Sequence, residues 1–153
     1  GVATVKGLAF NRDILCISVS VLEAIAHNFC DEDCIVCAVM DARRMQFYNA
    51  LFEVKNGVVH RLCADRAISI DDLRKEISGY DRVIAAGDGA VLFCENIGLD
   101  NVILADEEKR WQNGVGVSKA ALNKEKISAA ALMPVYLRLS QAERELKLKK
   151  GEQ

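Results

Sequence analysis

The chain has 153 residues, of which 51% are hydrophobic and one is proline, so it can build one substantial core but not two ordinary domains. Its 20 basic and 22 acidic residues nearly cancel, which argues against a surface that binds nucleic acid directly. No apolar run approaches the roughly 20 residues needed to cross a bilayer, and the amino end has no signal-peptide pattern, so we expect a cytoplasmic protein.

The first part of the chain predicts a helix, a strand and a second helix. Residues 1–10 carry small and apolar side chains at helical spacing. Residues 14–19 are apolar and β-branched, which is typical of a strand. Ser20 and Glu23 have the spacing of a capping box, which predicts a helix from there to about residue 29.

A central strand and a hairpin are predicted next. Residues 35–40 form a continuous apolar run, which is typical of a strand buried on both faces. Residues 46–54 and 58–63 are strand-like, and Asn56 and Gly57 between them predict a hairpin because both residues tolerate positive φ. Three consecutive antiparallel strands are therefore expected.

The rest of the chain alternates predicted helices and strands. Ser69 is expected to cap a helix that Gly79 ends, and Gly98 is expected to close the next one. The predicted elements are a helix at residues 71–78, a strand at 83–86, a helix at 90–96, a strand parallel to the previous one at 102–105, a helix at 117–126 and a strand-like segment at 135–139. A charged tail follows.

This order of elements indicates the fold class. Three antiparallel strands, a helix and a strand-helix-strand unit occur in this order in RNase H-like domains, including each half of the actin-like ATPase (ASKHA) superfamily. We therefore predict an α/β fold of that kind, with a mixed sheet and flanking helices. Function has to be argued separately from the residues.

The first candidate ligand site follows the central strand. Asp41, Arg43 and Arg44 lie where ligands of α/β sheets bind, beyond the carboxyl end of a strand, and a guanidinium group suits phosphate or carboxylate. A polar turn with internal ion pairs explains the same residues equally well.

The second candidate lies between the predicted strand at 83–86 and the helix after it. Gly87, Asp88 and Gly89 could let the backbone approach a phosphate at the helix amino end. Leu92 stands where a dinucleotide fingerprint has its third glycine, and a tight turn without ligand is the alternative.

The cysteines do not predict a metal site. His27, Cys30, Cys34 and Cys37 are closely spaced, but Cys34 and Cys37 are three apart on a strand and point to opposite faces. We expect no metal, and six reduced and mostly buried cysteines.

No other motif predicts catalysis. The glycine-containing segment at 114–119 lacks the spacing of a phosphate loop, and we expect a loop in which Ser118 caps a helix. The two histidines accompany no nucleophile motif, so the residues predict no catalytic site.

Five motifs in order carry a resemblance to a known family. They are GVATVKGLA at residues 1–9, SVSVL at 18–22, DARR at 41–44, GDGA at 87–90 and PVYLR at 134–138. Together they resemble the TsaB family, also known as YeaZ, over nearly the whole chain. Met45, Phe47 and the pair Leu132 and Met133 depart from its usual residues, which puts local ligand contacts in doubt.

The resemblance implies a scaffold rather than an enzyme. TsaB-like proteins are non-catalytic partners of TsaD, with TsaE, in threonylcarbamoyl transfer to the adenosine beside the tRNA anticodon. The resemblance implies no cofactor of its own, ATP or ADP with magnesium at the complex with TsaD, tRNA contact only through that complex, a homodimer, and no membrane.

The resemblance also predicts a domain organisation. We expect residues 1–33 to be the remainder of a first actin-like half with its connecting helix, residues 34–139 to be an RNase H-like C-terminal domain, and residues 140–153 to be a charged, mobile tail. Because members of the family begin with a strand and two helices that have no counterpart here, an exposed apolar patch is expected where those elements pack.

Two enzymatic alternatives are weaker. A small actin-like or RNase H-like nucleotide hydrolase would need several acids converging on magnesium, and only Asp41 and Asp88 follow strand ends. A glycoprotease-type peptidase would need a pair of metal ligands, for which the sequence gives no support.

Overall fold

The computed structural model describes residues 1–137. Its strands are β1 (Leu15–Cys16), β2 (Cys34–Asp41), β3 (Gln46–Lys55), β4 (Val58–Arg61), β5 (Arg66–Ser69), β6 (Val83–Ala86), β7 (Val102–Leu104) and β8 (Ile127–Ser128). Its helices are α1 (Val2–Ala9), α2 (Val21–Ala26), α3 (Ile70–Ile77), α4 (Ala90–Ile97), α5 (Glu107–Arg110) and α6 (Gly114–Ala121), and a 3-10 turn (His27–Phe29) extends α2. No helix within these residues is both long and apolar enough to span a membrane.

A mixed six-stranded sheet forms the centre of the structure. Its strand order is β4-β3-β2-β6-β7, and β5 also pairs with β3. Strands β2 to β5 pair antiparallel, whereas β6 lies parallel to both β2 and β7. The predicted central strand, hairpin and parallel unit are therefore confirmed.

The sheet is buried on both faces because side chains of β2 alternate between two cores. Val36 and Ala38 pack in one cluster with Phe29, which follows α2. Cys37 and Val39 pack in the other with apolar side chains of α3 and α4. A third, smaller cluster joins α1, β1 and β8. Strands β1 and β8 pair antiparallel and form a separate two-stranded sheet.

Local signals explain where several elements start and end. Ser69 accepts the Asp72 N–H and caps α3, and Gly98, in the left-handed region, ends α4, as predicted. Asn56 and Gly57 both have positive φ, which is the requirement of a type I′ hairpin turn. Ser20 accepts the Glu23 N–H as predicted, but the Glu23 carboxylate binds cations and does not complete a capping box.

Three predicted elements differ in the structure. The strand predicted at 14–19 is limited to Leu15–Cys16, because β8 offers only two residues for pairing. The helix predicted at 117–126 is Gly114–Ala121, because Asn113 accepts the Gly116 N–H and is the N-cap instead of Ser118. Residues 135–137 form no strand, and residues 138–139 and the predicted tail lie outside the described part.

Three short elements were not predicted, and the last of them in the chain is β8, which pairs with β1. Strand β5 pairs with residues 46–49 of β3, beside the part that β4 occupies. Helix α5 is a single charged turn. The proposed division between residues 33 and 34 stays a prediction, although α2 packs directly on the sheet.

Candidate functional site

The two predicted ligand-binding segments lie side by side at the carboxyl ends of β2 and β6. These strands are parallel neighbours, so their ends open at the same edge of the sheet. The Asp41 N–H donates a hydrogen bond to Asp88 Oδ1 at 3.2 Å. The structure therefore brings together Asp41, Arg43 and Arg44 of the β2–β3 loop with the turn from Gly87 to Gly89.

The β2–β3 loop has an unusual backbone. Arg43, Arg44 and Met45 have φ values of 64°, 56° and 55°, a left-handed region that bulky residues rarely adopt. Asp41 Oδ1 accepts the Arg43 N–H at 2.6 Å, and the Gln46 N–H donates to the Arg43 carbonyl. These bonds hold the loop in one conformation despite its strain.

Both arginine side chains of this loop are exposed. Within residues 1–137, neither the Arg43 nor the Arg44 guanidinium has a hydrogen bond or an ion pair. The internal ion pairs that could have explained these residues structurally are thus absent from the described part. Each arginine can offer a planar set of N–H donors to a phosphate or a carboxylate.

The glycines of the neighbouring turn have a packing role. A Cβ on Gly87 would lie 2.1 Å from the Val39 carbonyl oxygen, and one on Gly89 would lie 2.8 Å from the Asp41 nitrogen. The N–H groups of Gly87 and Gly89 donate to the carbonyls of Arg110 and Val39. The tight approach to β2 therefore accounts for both glycines, and a role in ligand binding stays a prediction.

Of the four closely spaced cysteine and histidine residues, only His27 and Cys30 approach each other, with 3.8 Å between Nδ1 and Sγ. Cys34 packs with the first core cluster and Cys37 lies in the second, so they occupy opposite faces of the sheet as predicted. Burial raises the pKa of Cys34 to about 11 and raises that of Cys37 further, so both are protonated thiols at neutral pH. No group of three potential metal ligands occurs among the described residues.

A hydrogen-bonded network that starts at a buried asparagine was not predicted. Asn49 on β3 is completely buried, and its Nδ2 donates to the Ala38 carbonyl at 3.0 Å. Its Oδ1 accepts hydrogen bonds from Arg66, which pairs with Glu76 at 2.5 Å. The only feature of the sequence that indicates this network is an asparagine inside an apolar strand, and it does not show that Arg66 and Glu76 are the hydrogen-bonding partners.

A second unpredicted network joins α2 to the sheet and to the segment after α6. Glu23 Oε2 accepts hydrogen bonds from Arg61 at 2.9 Å and from Lys124 at 2.7 Å. Arg61 also binds Asp65 at 2.5 Å, and Asp65 accepts the Ser20 hydroxyl. These side chains are among those that line an open cavity of about 920 Å³.

The Glu23 network should make stability depend on pH. Burial alone would raise the pKa of Glu23, but the hydrogen bonds from Lys124 and Arg61 outweigh it and lower the pKa below its ordinary value of 4.5. A carboxylate with a lowered pKa stabilises the fold above pH 4.5, and this contribution is lost as pH falls through the lowered pKa. We expect Glu23→Gln to destabilise the chain by about 1–2 kcal/mol at neutral pH.

Urea unfolding of both forms between about pH 7 and pH 3 tests this expectation. The difference in unfolding free energy should shrink as pH falls below 4.5. Glu125→Gln, at an exposed acid close in sequence, is the control and should show no such difference. A Glu23→Gln difference that stays constant across this range would contradict the assignment.

Comparisons with known proteins agree with the predicted family. The family model described as "TsaD: tRNA N6-adenosine threonylcarbamoyltransferase" matches residues 1–106. The tRNA threonylcarbamoyladenosine biosynthesis protein TsaB of Bacillus subtilis (strain 168) is 33% identical over 150 residues, which are 94% of this chain and 64% of that protein. The chain thus spans slightly less than two thirds of its relative.

Two solved structures have the same fold. YeaZ from Pseudomonas aeruginosa superposes with a TM-score of 0.70 at 21% identity, over 89% of this chain and 66% of that one. A second structure from Pseudomonas aeruginosa, an uncharacterized protein with similarity to peptidase YEAZ, superposes with a TM-score of 0.65 at 20% identity, over 90% and 65%. At these identities the likeness concerns the fold alone.

The fold and the sequence similarity together identify the fold class and the family of this chain. The mixed sheet with flanking helices is the predicted α/β fold, and its similarity to YeaZ confirms that fold class. The chain belongs to the family of the TsaD model and, within it, to the TsaB (YeaZ) group.

Proposed function

We propose that this chain acts as a non-catalytic partner of a TsaD-like protein, together with a TsaE-like protein, in threonylcarbamoyl transfer to the adenosine beside the tRNA anticodon. The observation that carries the proposal is the 33% identity, along nearly the whole chain, to a protein named for threonylcarbamoyladenosine biosynthesis. The process is cytoplasmic in this proposal, and catalysis belongs to the partner.

The charge of the chain supports an indirect role toward tRNA. A net charge of -2 supplies no summed attraction for a phosphate backbone, so tRNA would be held by the assembled complex. A homodimer would be an alternative assembly in the absence of the partner.

The β2–β3 loop supports a contact with an anion in that complex. Arg43 and Arg44 are exposed and without ion pairs among the described residues, on a backbone that hydrogen bonds hold in place. In the proposal they bind the phosphates of ATP or ADP at the complex with the TsaD-like protein. Asp41 and Asp88 hold the adjoining backbone, and a magnesium ion would accompany the nucleotide rather than belong to this chain.

Substituting the two arginines tests the nucleotide contact. Arg43→Gln together with Arg44→Gln should weaken ADP binding by the assembled complex about tenfold or more, because charge-assisted hydrogen bonds are lost. Lys55→Gln removes an exposed cation at the other end of the sheet and should leave the affinity unchanged. If calorimetry gives equal ADP affinities for complexes that contain the unmodified chain, the double arginine variant and Lys55→Gln, an anion contact at this loop would be contradicted.

ATP turnover tests the non-catalytic role. The chain alone with magnesium is expected to hydrolyse ATP no faster than a buffer blank, and threonylcarbamoyl transfer to tRNA is expected only when TsaD-like and TsaE-like proteins are present. Magnesium-dependent ATP turnover by the purified chain alone, abolished by Asp88→Asn, would contradict the proposal and favour a nucleotide hydrolase.

A further inference from the structure

One cysteine of the chain lies outside the packed cores. The structure describes all six cysteines, and five of them pack in a core cluster: Cys16, Cys34, Cys37, Cys63 and Cys94. Cys30 is half-buried and belongs to none of these clusters. A small molecule can therefore reach its thiol without disturbing a core.

His27 and Cys30 lie one above the other because of the 3-10 turn that follows α2. The turn runs from His27 to Phe29, and Cys30 is its C-cap. Side chains three residues apart are eclipsed in a 3-10 helix, since three residues complete one turn. The Cys30 thiol donates to the His27 carbonyl oxygen at 3.3 Å, and its Sγ lies 3.8 Å from His27 Nδ1. Rotation about the Cβ–Sγ bond directs the same proton to Nδ1, so the two side chains can act as a nucleophile and its base.

The His27 ring is a neutral imidazole at pH 7 and can accept a proton. Burial is the largest cause that lowers the pKa of His27 below its ordinary value of 6.5. The Glu23 carboxylate opposes this shift, whereas the positive charges of Lys119 and Lys124 lower the pKa further. The unprotonated form therefore dominates at neutral pH.

A cation lies close to the same thiol. Lys119 on α6 donates from Nζ to the His27 carbonyl oxygen at 3.5 Å. Cys30 Sγ approaches the same oxygen, so the ammonium group cannot be farther from the sulfur than the sum of these two distances. The acids next to Cys30 in the chain, Asp31 and Glu32, are paired with Lys109. A negative charge that develops on the sulfur is thus favoured by a nearby positive charge.

We infer that Cys30 is a modification site, at which a low-molecular-weight disulfide forms a mixed disulfide with the chain and His27 serves as the base. His27 Nδ1 takes the thiol proton, and Cys30 Sγ attacks one sulfur of the small disulfide. The S–S bond of the small disulfide breaks, and the departing thiolate takes the proton from the imidazolium. The Cys30 thiol is oxidised and the small disulfide is reduced by the same two electrons.

The other thiols are less suited to this reaction. Cys16 and Cys37 are buried. Burial raises the pKa of Cys34 to about 11 and also raises the pKa of Cys94. Cys63 packs against both large core clusters. The reaction requires no TsaD-like protein, nucleotide or tRNA, so this inference and the proposed function fail independently.

The first test uses the unmodified full chain and oxidised glutathione as the small disulfide. Mass spectrometry of the intact chain and of its peptides follows the adducts at pH 7. We expect one adduct, on Cys30, that forms at least about tenfold faster than an adduct on any other cysteine. Equal rates at several cysteines, or a first adduct elsewhere, would overturn the inference.

The two histidines provide a matched pair of variants. His27→Gln should slow the reaction of Cys30 at least about tenfold at pH 7, because the base is lost. His60→Gln, at the exposed histidine of β4, should leave the rate within about twofold. The difference between the variants should shrink above about pH 9, where free thiols ionise without a base. Equal rates at pH 7, or a difference that is the same at both pH values, would contradict the role of His27 as the base.

A second pair of variants keeps the test valid if His27→Gln does not fold. Lys119→Gln removes an exposed cation and should slow the reaction of Cys30 about threefold or more at low salt. Lys126→Gln removes another exposed cation and should leave the rate unchanged. If both lysine variants react as fast as the unmodified chain, the proposed environment of the thiol is wrong.

Discussion

Replacing Gly87 with alanine is expected to lower the free energy of unfolding by roughly 3 kcal/mol or more. Gly87 has a φ of +116°, which residues with a Cβ rarely adopt, and an added Cβ would lie 2.1 Å from the Val39 carbonyl oxygen. That carbonyl also accepts the Gly89 N–H, so it cannot move away without breaking another contact. Urea unfolding followed by circular dichroism measures the effect.

Gly79→Ala is the matched control for this substitution. Gly79 follows α3 with no positive φ, and a Cβ there would meet nothing within 4 Å. Alanine should therefore leave stability unchanged or raise it by about 0.4–1 kcal/mol through the unfolded chain. If the Gly87→Ala and Gly79→Ala variants unfold at the same urea concentration, the result would contradict the close packing of the Gly87 turn against β2.

Gly116→Ala is the second substitution with a large expected effect, about 2 kcal/mol of destabilisation. Gly116 lies in α6 where the helix touches α2, and a Cβ there would lie 2.2 Å from the Ala24 carbonyl oxygen. Alanine has a higher helix propensity than glycine by about 1 kcal/mol, but this gain is too small to offset the free-energy cost of moving α6 away from α2. Thermal unfolding of the variant should show a clearly lower midpoint.

The same helix contains its own control. Gly114 is the first residue of α6, and a Cβ there would meet nothing within 4 Å. Gly114→Ala should raise the midpoint slightly, since it adds helix propensity without a clash. The two alanine variants are thus expected to change stability in opposite directions, and a shift of the same sign for both would contradict the packing of α6 on α2.

The parts of the fold that could be predicted are those with strong local signals. The apolar run of β2, the Asn56-Gly57 turn, the Ser69 cap and the Gly98 helix end each depend on residues next to one another in the sequence. Local signals act before any tertiary contact forms, so they survive in the folded chain.

The missed elements depend on distant partners. Strand β5 exists because β3 is ten residues long and β4 pairs only with its second half, so the remaining edge is available to residues 66–69. The start of α6 depends on Asn113 and on the fit of Gly116 against α2. Strand β1 stops early for the opposite reason, since no neighbouring strand among residues 1–137 continues beside it.

The sequence predicted where the candidate site lies, but it did not predict the backbone conformation of the site's loop. Strands β2 and β6 were expected to share a sheet, so their carboxyl ends were expected to lie close together. Asp41 does contact Asp88. Nothing in Arg43, Arg44 and Met45 predicts three successive left-handed residues, because none of these residue types favours that region. The packing role of Gly87 likewise appears only when the distance to β2 is known.

Direct binding to a TsaD-like protein tests the central claim that this member of the TsaB group acts through a partner. The measurement is isothermal titration of the chain into purified TsaD from Bacillus subtilis, with size-exclusion chromatography of the mixture. We expect a saturable complex of defined stoichiometry, with or without the unmatched part of TsaB added. No complex in either condition, together with magnesium-dependent ATP turnover by the chain alone, would contradict the claim.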